Sequence, residues 1–557
     1  MAHSKAVTSH ETPAAATAHP AAVEGAGKWL ALTAALLGWM FDGAEMGVFS
    51  LVGGKAMEAL LPSSSKTDQS LWFQVIMATF LVGAATGGVL FGWLGDRIGR
   101  VRAMTLSVLT YAVFTGLCGF AGAAWQVAAL RFIASLGMGG EWSLGVALVM
   151  EVWPNRSRAF MAGLIGAAAN VGYLLVGYVG LVLLDFLETF RGIMLNWRMQ
   201  SEWVESLCGH SGWRLMMLLG TVPAVLTFFI RVFVPESEKW KKEEGSGTTS
   251  HWASQDLLAV AVGVLGPMLI IGVWAYYPAG LSPWATNWAA IRVAVTILGL
   301  MIAIVGYTYP VVRFFQRNAA VAGGAAWLPT LGRMMLAACL SGVALLGTWG
   351  TTQQAPTWAS DLTEASYRAR YDELVAAGQK QAADELPKAA ALIAKERTLI
   401  WLSWGAIVGT LGAALAGDFI GRRPAYCLLC ILSLLSVWML YLGNQQFGPG
   451  LLFWAFVAGV CTASFYGWLP LYLPELFPTS VRATGQGFGF NFGRILAAIG
   501  VLQVGNFVKV FTADWQWAGF VIPHGRPLAC SLIALVYFIG MAIIWLAPET
   551  RGQPLPD

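Results

Sequence analysis

Apolar runs of about twenty residues alternate with short polar connections along nearly the whole chain, at roughly 29–51, 71–92, 103–124, 127–150, 158–184, 212–234, 255–277, 289–312, 329–352, 398–417, 424–443, 450–473, 484–510 and 526–547. A helix rising about 1.5 Å per residue crosses about 30 Å of hydrocarbon in a run of this length. It also satisfies its own backbone hydrogen bonds where no water is present to do so. A membrane β-barrel shows shorter segments of strict alternation instead. The pattern therefore predicts an all-α polytopic membrane protein with about fourteen spans.

The polar connections carry orientation. Basic clusters follow the second run (Arg97, Arg100, Arg102), the fourth (Arg156, Arg158), the sixth (Lys239, Lys241, Lys242), the eighth (Arg313, Arg317) and the tenth (Arg422, Arg423). These are alternate loops, and the positive-inside rule places them and both termini in the cytoplasm, with the chain in an inner membrane. Residues 1–27, rich in Ala, Thr and His, lack a basic cluster followed by an apolar core, so they read as a disordered cytoplasmic tail and not a signal peptide. The expected organisation is a six-helix bundle over 28–240, cytoplasmic linkers and an extra two-helix hairpin over 241–325, and a second six-helix bundle over 326–552. An external loop at 353–397 reads as a polar helical stretch broken by Pro387, and balances acids such as Asp361, Glu364 and Glu396 against bases such as Arg368, Arg370 and Lys395. It is either a solvated cap or a lid over the entrance.

Composition narrows the function. Of 557 residues, 57% are hydrophobic and 11% charged, against about 25% charged in a soluble protein. A net charge of +4 spread over short clusters excludes a nucleic-acid surface. The cysteines lie mostly within apolar runs, where packing is the first reading, and Cys427-x-x-Cys430 lacks the further His or Cys that a metal site needs. All six His residues fall in tails, loops or helix ends, and there is no Walker A sequence. No metal, cofactor or ATP-driven step is expected, nor an enzyme, since no nucleophile and base pair is visible.

The two halves repeat each other. Gly95-Asp96-Arg97-Ile-Gly99-Arg100 returns as Gly417-Asp418-Phe419-Ile-Gly421-Arg422, Glu151-Val-Trp-Pro154 as Glu475-Leu-Phe-Pro478, and Pro235-Glu-Ser237 as Pro548-Glu-Thr550, in the same order at nearly the same spacing. With Gly92-Trp-Leu-Gly-Asp96-Arg97-Ile-Gly99-Arg100-Val-Arg102 these segments resemble the signature loops of the major facilitator superfamily. Pro470-Leu-Tyr472-Leu-Pro-Glu475 is similar to a sugar-porter element. Asp42-Gly-Ala-Glu45 resembles an element of sialic acid and aromatic acid proton symporters, Gly139-Gly-Glu141-Trp142 and the extra central hairpin resemble sialic acid transporters, and Phe477-Pro-Thr-Ser-Val-Arg482 resembles the broader metabolite and aromatic acid symporters.

Charged groups at bilayer depth cost about 2.5–3.5 kcal/mol each on insertion scales, so those present are candidates for work. Glu45 in helix one and Arg131 in helix four fall in the outer half of the membrane and are placed to meet, as the matching positions of sugar porters imply. The pair is either a proton-coupling site or a permanent salt bridge. Asp42, one turn earlier, is a second proton site or a partner for another polar group. Arg494, near the midplane, suits a substrate carboxylate or an acid such as Glu141 or Asp42. Asn170, Gln353, Gln354, Tyr466, Trp468, Asn491 and Glu141 complete the expected substrate site. Asp96, Arg97, Arg100 and Glu151, with Asp418, Arg422 and Glu475, are expected to form cytoplasmic latches that let two halves rock.

The resulting expectation is a proton-driven symporter, monomeric in the lipid bilayer, that imports a small organic acid, with sialic acid or a similar sugar acid first. A neutral sugar or an aromatic acid is the alternative within this class. A solute sensor that moves nothing is the alternative outside it.

Overall fold

The computed structural model describes residues 20–153, 157–276, 286–322, 327–384, 389–510, 513–517 and 520–556. Residues 1–19 of the expected tail lie outside these, as do Pro154, Arg156, Pro387 and Lys388. Residues 20–27, also expected in the tail, belong to the first helix.

The first bundle comprises α1 (Pro20–Leu60), α2 (Lys66–Ile98), α3 (Arg100–Cys118), α4 (Ala124–Val152), α5 (Arg158–Asn196), α6 (Ser201–Leu219) and α7 (Ala224–Phe233). A short α8 (Glu238–Gly245) leads to the extra hairpin, α9 (Leu257–Ala275) and α10 (Thr286–Ala322). The second bundle follows as α11 (Trp327–Gly350), α12 (Ala355–Ala376), α13 (Lys380–Asp384), α14 (Ala389–Ile420), α15 (Arg422–Leu442), α16 (Pro449–Ala463), α17 (Phe465–Tyr472), α18 (Arg482–Val510), α19 (Arg526–Ile533) and α20 (Val536–Ile543). Thirteen helices among the described residues are long and apolar enough to cross a membrane.

Two features depart from the sequence-based expectation, the sixth span and a small hairpin near the end of the chain. The sixth span, expected as one helix over 212–234, is divided between α6 and α7, with His210, Ser211 and Gly212 in left-handed backbone and Pro223 before α7. Within 353–397 the described residues are largely helical, as the sequence suggests: α12 follows α11 and packs along α14. It is tied down by Arg526, which reaches Asp361 at 3.1 Å and Gln354 at 3.3 Å. Finally, a small antiparallel hairpin, β1 (Trp515–Trp517) with β2 (Phe520–Ile522), joins α18 to α19. Aromatic and β-branched residues in so short a segment favour paired strands over a helix.

Two seams join the bundles. On one flank α2 packs against α18, and on the other α5 packs against α14. The extra hairpin lies along the first seam, with α9 and α10 in contact with both α2 and α18, and a 2.8 Å hydrogen bond joins the Thr86 and Tyr307 hydroxyls there. The loops after α2 and α14 lie on one face of the molecule, called the latch face below. Gly99 and Gly421 make both turns possible, with φ of 107° and 102° that disfavour any side chain.

Candidate functional site

A cavity between the bundles, with about 80 Å³ open to the centre of a water molecule, is bounded by α1, α5, α11, α14, α16, α17 and α18. Trp39, Tyr173, Trp349, Tyr466 and Phe490 supply aromatic walls. Asn170, Gln353, Thr348, Thr352, Ser403 and Thr462 supply amides and hydroxyls. Much of that polar capacity is already used within helices: Asn170 Nδ2 donates to Gly166 O at 2.9 Å, and Thr348, Thr352 and Ser403 donate to carbonyls one turn back. Arg494 differs. Its guanidinium, with 8% residue exposure, lies 5.4 Å from the Phe490 ring centre, and the buried Nη1 has no hydrogen-bond partner among the described residues. A buried guanidinium donor is costly without an acceptor.

On the far side of α1, Arg131 of α4 donates to Glu45 at 2.6 Å and 3.4 Å, and Thr115 of α3 donates to the same carboxylate at 3.2 Å. The Arg131 guanidinium sits between the Phe49 and Phe80 rings, at 4.1 Å and 4.7 Å from their centres. The pairing expected for Glu45 and Arg131 is thus present, and aromatic faces strengthen it. Asp42 lies close to Glu141, Glu45 and Arg494 without an ion-pair partner among the described residues.

The repeated motifs assemble into two matching clusters on the latch face. In the first, Arg100 contacts Asp96 at 3.0 Å and Glu151 at 3.2 Å and donates to Gly95 O. Ser237 donates to Glu151, while Glu236 accepts from the backbone N–H groups of Arg100 and Val101 at 2.9 Å and 3.0 Å. In the second, Arg422 contacts Glu475 at 2.6 Å and Asp418 at 3.2 Å and donates to Gly417 O. Thr550 donates to Glu475, and Glu549 accepts from the N–H groups of Arg422 and Arg423. Each carboxylate caps a helix N-terminus whose first donors would otherwise lack partners. Glu236, Ser237, Glu549 and Thr550 are functional positions beyond the expected latch residues, and their recurrence at matched positions of the repeat is the signal the sequence carries for them.

The first cluster also crosses the seam. Arg482 of α18 pairs with Glu151 at 3.0 Å, and Asp96 accepts from Thr484 N at 2.9 Å and Thr484 Oγ1 at 2.6 Å. Beneath the cavity, Trp142 stacks on Phe490 at 3.8 Å and Asn491 donates to Gly139 O at 3.0 Å. At the opposite end, Lys395 of α14 donates to Ser50 O of α1 at 2.8 Å. The halves therefore meet on both sides of the cavity.

Five expected residues lie elsewhere. Gln354 turns to Arg526 and does not line the cavity. Trp468 is buried near the latch face, where its indole donates to Arg422 O. Asn491 belongs to the tight α4–α18 contact, and Glu141 is enclosed beside α1. Arg97 leaves the latch and donates to Ser254 at 2.6 Å, before the extra hairpin.

Residues 30–254 and 370–551 match the family described as "Sugar (and other) transporter". The chain belongs to this family. It is 27% identical over 530 residues to a putative metabolite transport protein of Haemophilus influenzae, a match covering 95% of this chain and 98% of that one. To a probable 4-methylmuconolactone transporter of Cupriavidus pinatubonensis it is 24% identical, covering 92% and 89%. It also matches the sialic acid transporter NanX of Escherichia coli at 25% identity, over 48% of this chain and 61% of that one. The proton:xylose symporter XylE, in a structure bound to 6-bromo-6-deoxy-D-glucose, shares the fold with a TM-score of 0.61 at 16% identity, covering 96% and 98%. The family member described here is a multi-pass membrane transporter of the major facilitator fold, and not an enzyme.

Proposed function

We propose that the protein is a proton-coupled symporter of a small carboxylic acid in an inner membrane, working by alternating access with the latch face toward the cytoplasm. The observation that carries the reading is Arg494, a buried guanidinium on the wall of the aromatic-lined cavity whose Nη1 has no hydrogen-bond partner among the described residues. A carboxylate is the acceptor whose geometry suits a guanidinium, and two parallel hydrogen bonds can form. Five aromatic side chains lining the same cavity favour a planar, unsaturated acid. A sugar acid is the second reading, favoured by the Asp42-Gly-Ala-Glu45 and Gly139-Gly-Glu141-Trp142 elements.

Proton coupling is assigned to Glu45 and Arg131. A carboxylate and guanidinium at about 4 Å in an effective dielectric of about 20 attract by roughly 4 kcal/mol, and protonation of Glu45 removes most of that. A proton thus changes the relative stability of two conformations, as symport requires. Where net positive charge moves inward, the membrane potential adds about 2.3 kcal/mol per charge at about 100 mV.

The test is uptake of radiolabelled gentisate, nicotinate and sialic acid into liposomes holding the purified protein, with and without an imposed pH gradient. The expected result is accumulation of at least one acid that collapses when the gradient is removed. Accumulation indifferent to the gradient removes proton coupling; no movement of any solute favours a sensor.

A further inference from the structure

Asp42 of α1 and Glu141 of α4 face each other with residue exposures of 5% and 1%. Both Glu141 oxygens and Asp42 Oδ1 lack hydrogen-bond donors, and neither residue has an ion pair among the described residues. The approach is close by construction: a Cβ at Gly38 would fall 1.5 Å from Glu141 Oε1, so only glycine there admits the carboxyl group. The groups facing the pair are Glu45 on α1, already held by Arg131 at 2.6 Å, the Tyr111 hydroxyl of α3, fully buried and without a partner among the described residues, and Arg494 on α18. Arg494 is a cation that acts on Asp42, and it is the same residue that lines the cavity.

Two carboxylates in contact and away from water cannot both be ionised, because each loses hydration and each repels the other. One proton shared between them leaves a single negative charge opposite Arg494. A solute carboxylate seated on Arg494 takes over that counter-charge. The pair is then left with an uncompensated buried charge, which a second proton removes. We propose that Asp42 and Glu141 form a second proton site, separate from Glu45 and Arg131, that takes up one further proton when an anionic solute occupies Arg494 and releases it when the solute leaves. The proposal rests on the assignment of Arg494 to a solute carboxylate. It links solute and proton through competition for one cation, with no covalent step.

Infrared spectra of the full chain in liposomes test the pair without any ligand. The difference between wild type and the double variant Asp42→Asn, Glu141→Gln in neutral buffer is expected to contain one protonated carboxylic acid and one carboxylate, and the acid band is expected to persist in Glu45→Gln. Two carboxylates with no acid, or an acid with no carboxylate, would overturn the shared proton. The linkage is read by mixing gentisate or sialic acid with purified protein in weak buffer. Wild type should take up about one proton per bound anion, and Asp42→Asn should bind the anion without that uptake. Equal uptake in the two proteins rules the site out. Failure of every acid to accumulate in liposomes defeats the function proposed above and leaves the infrared result standing, whereas gradient-driven accumulation with no acid band defeats the pair alone.

Discussion

Arg482 meets Glu151 at 3.0 Å across the seam, with both side chains fully buried. Its counterpart in the repeat, Arg158, makes no such contact: among the described residues Glu475 is paired with Arg422, and Arg158 Nε has no partner. The two clusters match in sequence but differ in use, since one bridges the bundles and the other closes on itself.

Breaking one partner of a buried ion pair costs about 3–5 kcal/mol. Replacing Arg482 with Met should therefore shift the protein toward a conformation open at the latch face. A cysteine placed at Thr484 in a cysteine-free background should then react with an impermeant thiol reagent roughly a hundredfold faster. Unchanged labelling would remove Arg482 from the gate.

Arg494→Lys retains the charge and loses the planar fork. Affinity for carboxylates should fall roughly tenfold or more, while neutral analogues of the same ring lose little. Equilibrium binding to the purified variant decides this, and equal losses for both would make Arg494 a packing residue.

Glu45→Gln mimics the protonated acid. Exchange of solute between the two sides should continue, and uptake against a concentration gradient should stop. Counterflow and net uptake measured on the same liposomes separate the two, and loss of both together would point to a structural role for the pair with Arg131.

Burial alone would raise the Glu549 carboxyl, but hydrogen bonds from the backbone N–H groups of Arg422, Arg423 and Arg551, with the Arg422 charge, hold it below the ordinary range. Burial dominates at Glu236, whose carboxyl is pushed up despite its own backbone donors. A depressed carboxyl stabilises the fold fully above its unfolded value, about 4.3, and that contribution is lost as pH falls through the lower folded value. Glu549→Gln should thus lower the melting temperature at neutral pH, with the gap from wild type closing in acid. A gap of constant size across the range would contradict this.

The latch clusters were legible because their residues recur as motifs whose spacing survives in both halves. Arg482 stood in the same motif, yet its pairing with Glu151 joins two halves and no local spacing reports that. Helical counting assigned a depth to Arg494, and the structure puts that residue on the cavity wall, but depth is not direction. Successive residues on a helix turn by about 100°, so Gln354 looks away from the cavity that Gln353 lines, and Trp468, two positions beyond Tyr466, falls on the opposite side of α17. Asn491 lies one turn from Arg494 toward the latch face, where α4 and α18 leave no space between them. The division of the sixth span at 220–223 was hidden because apolar residues continue on both sides of it, although Pro223 marks where α7 starts.

The hairpin of α9 and α10 leans on α2 and α18 together. A swing that parted those two helices would have to slide one of them across the hairpin, whereas the helix that touches both α5 and α14, α17, belongs to the second bundle itself. The rocking proposed above would then be lopsided, with an added pair of helices sliding against the bundles along one edge alone.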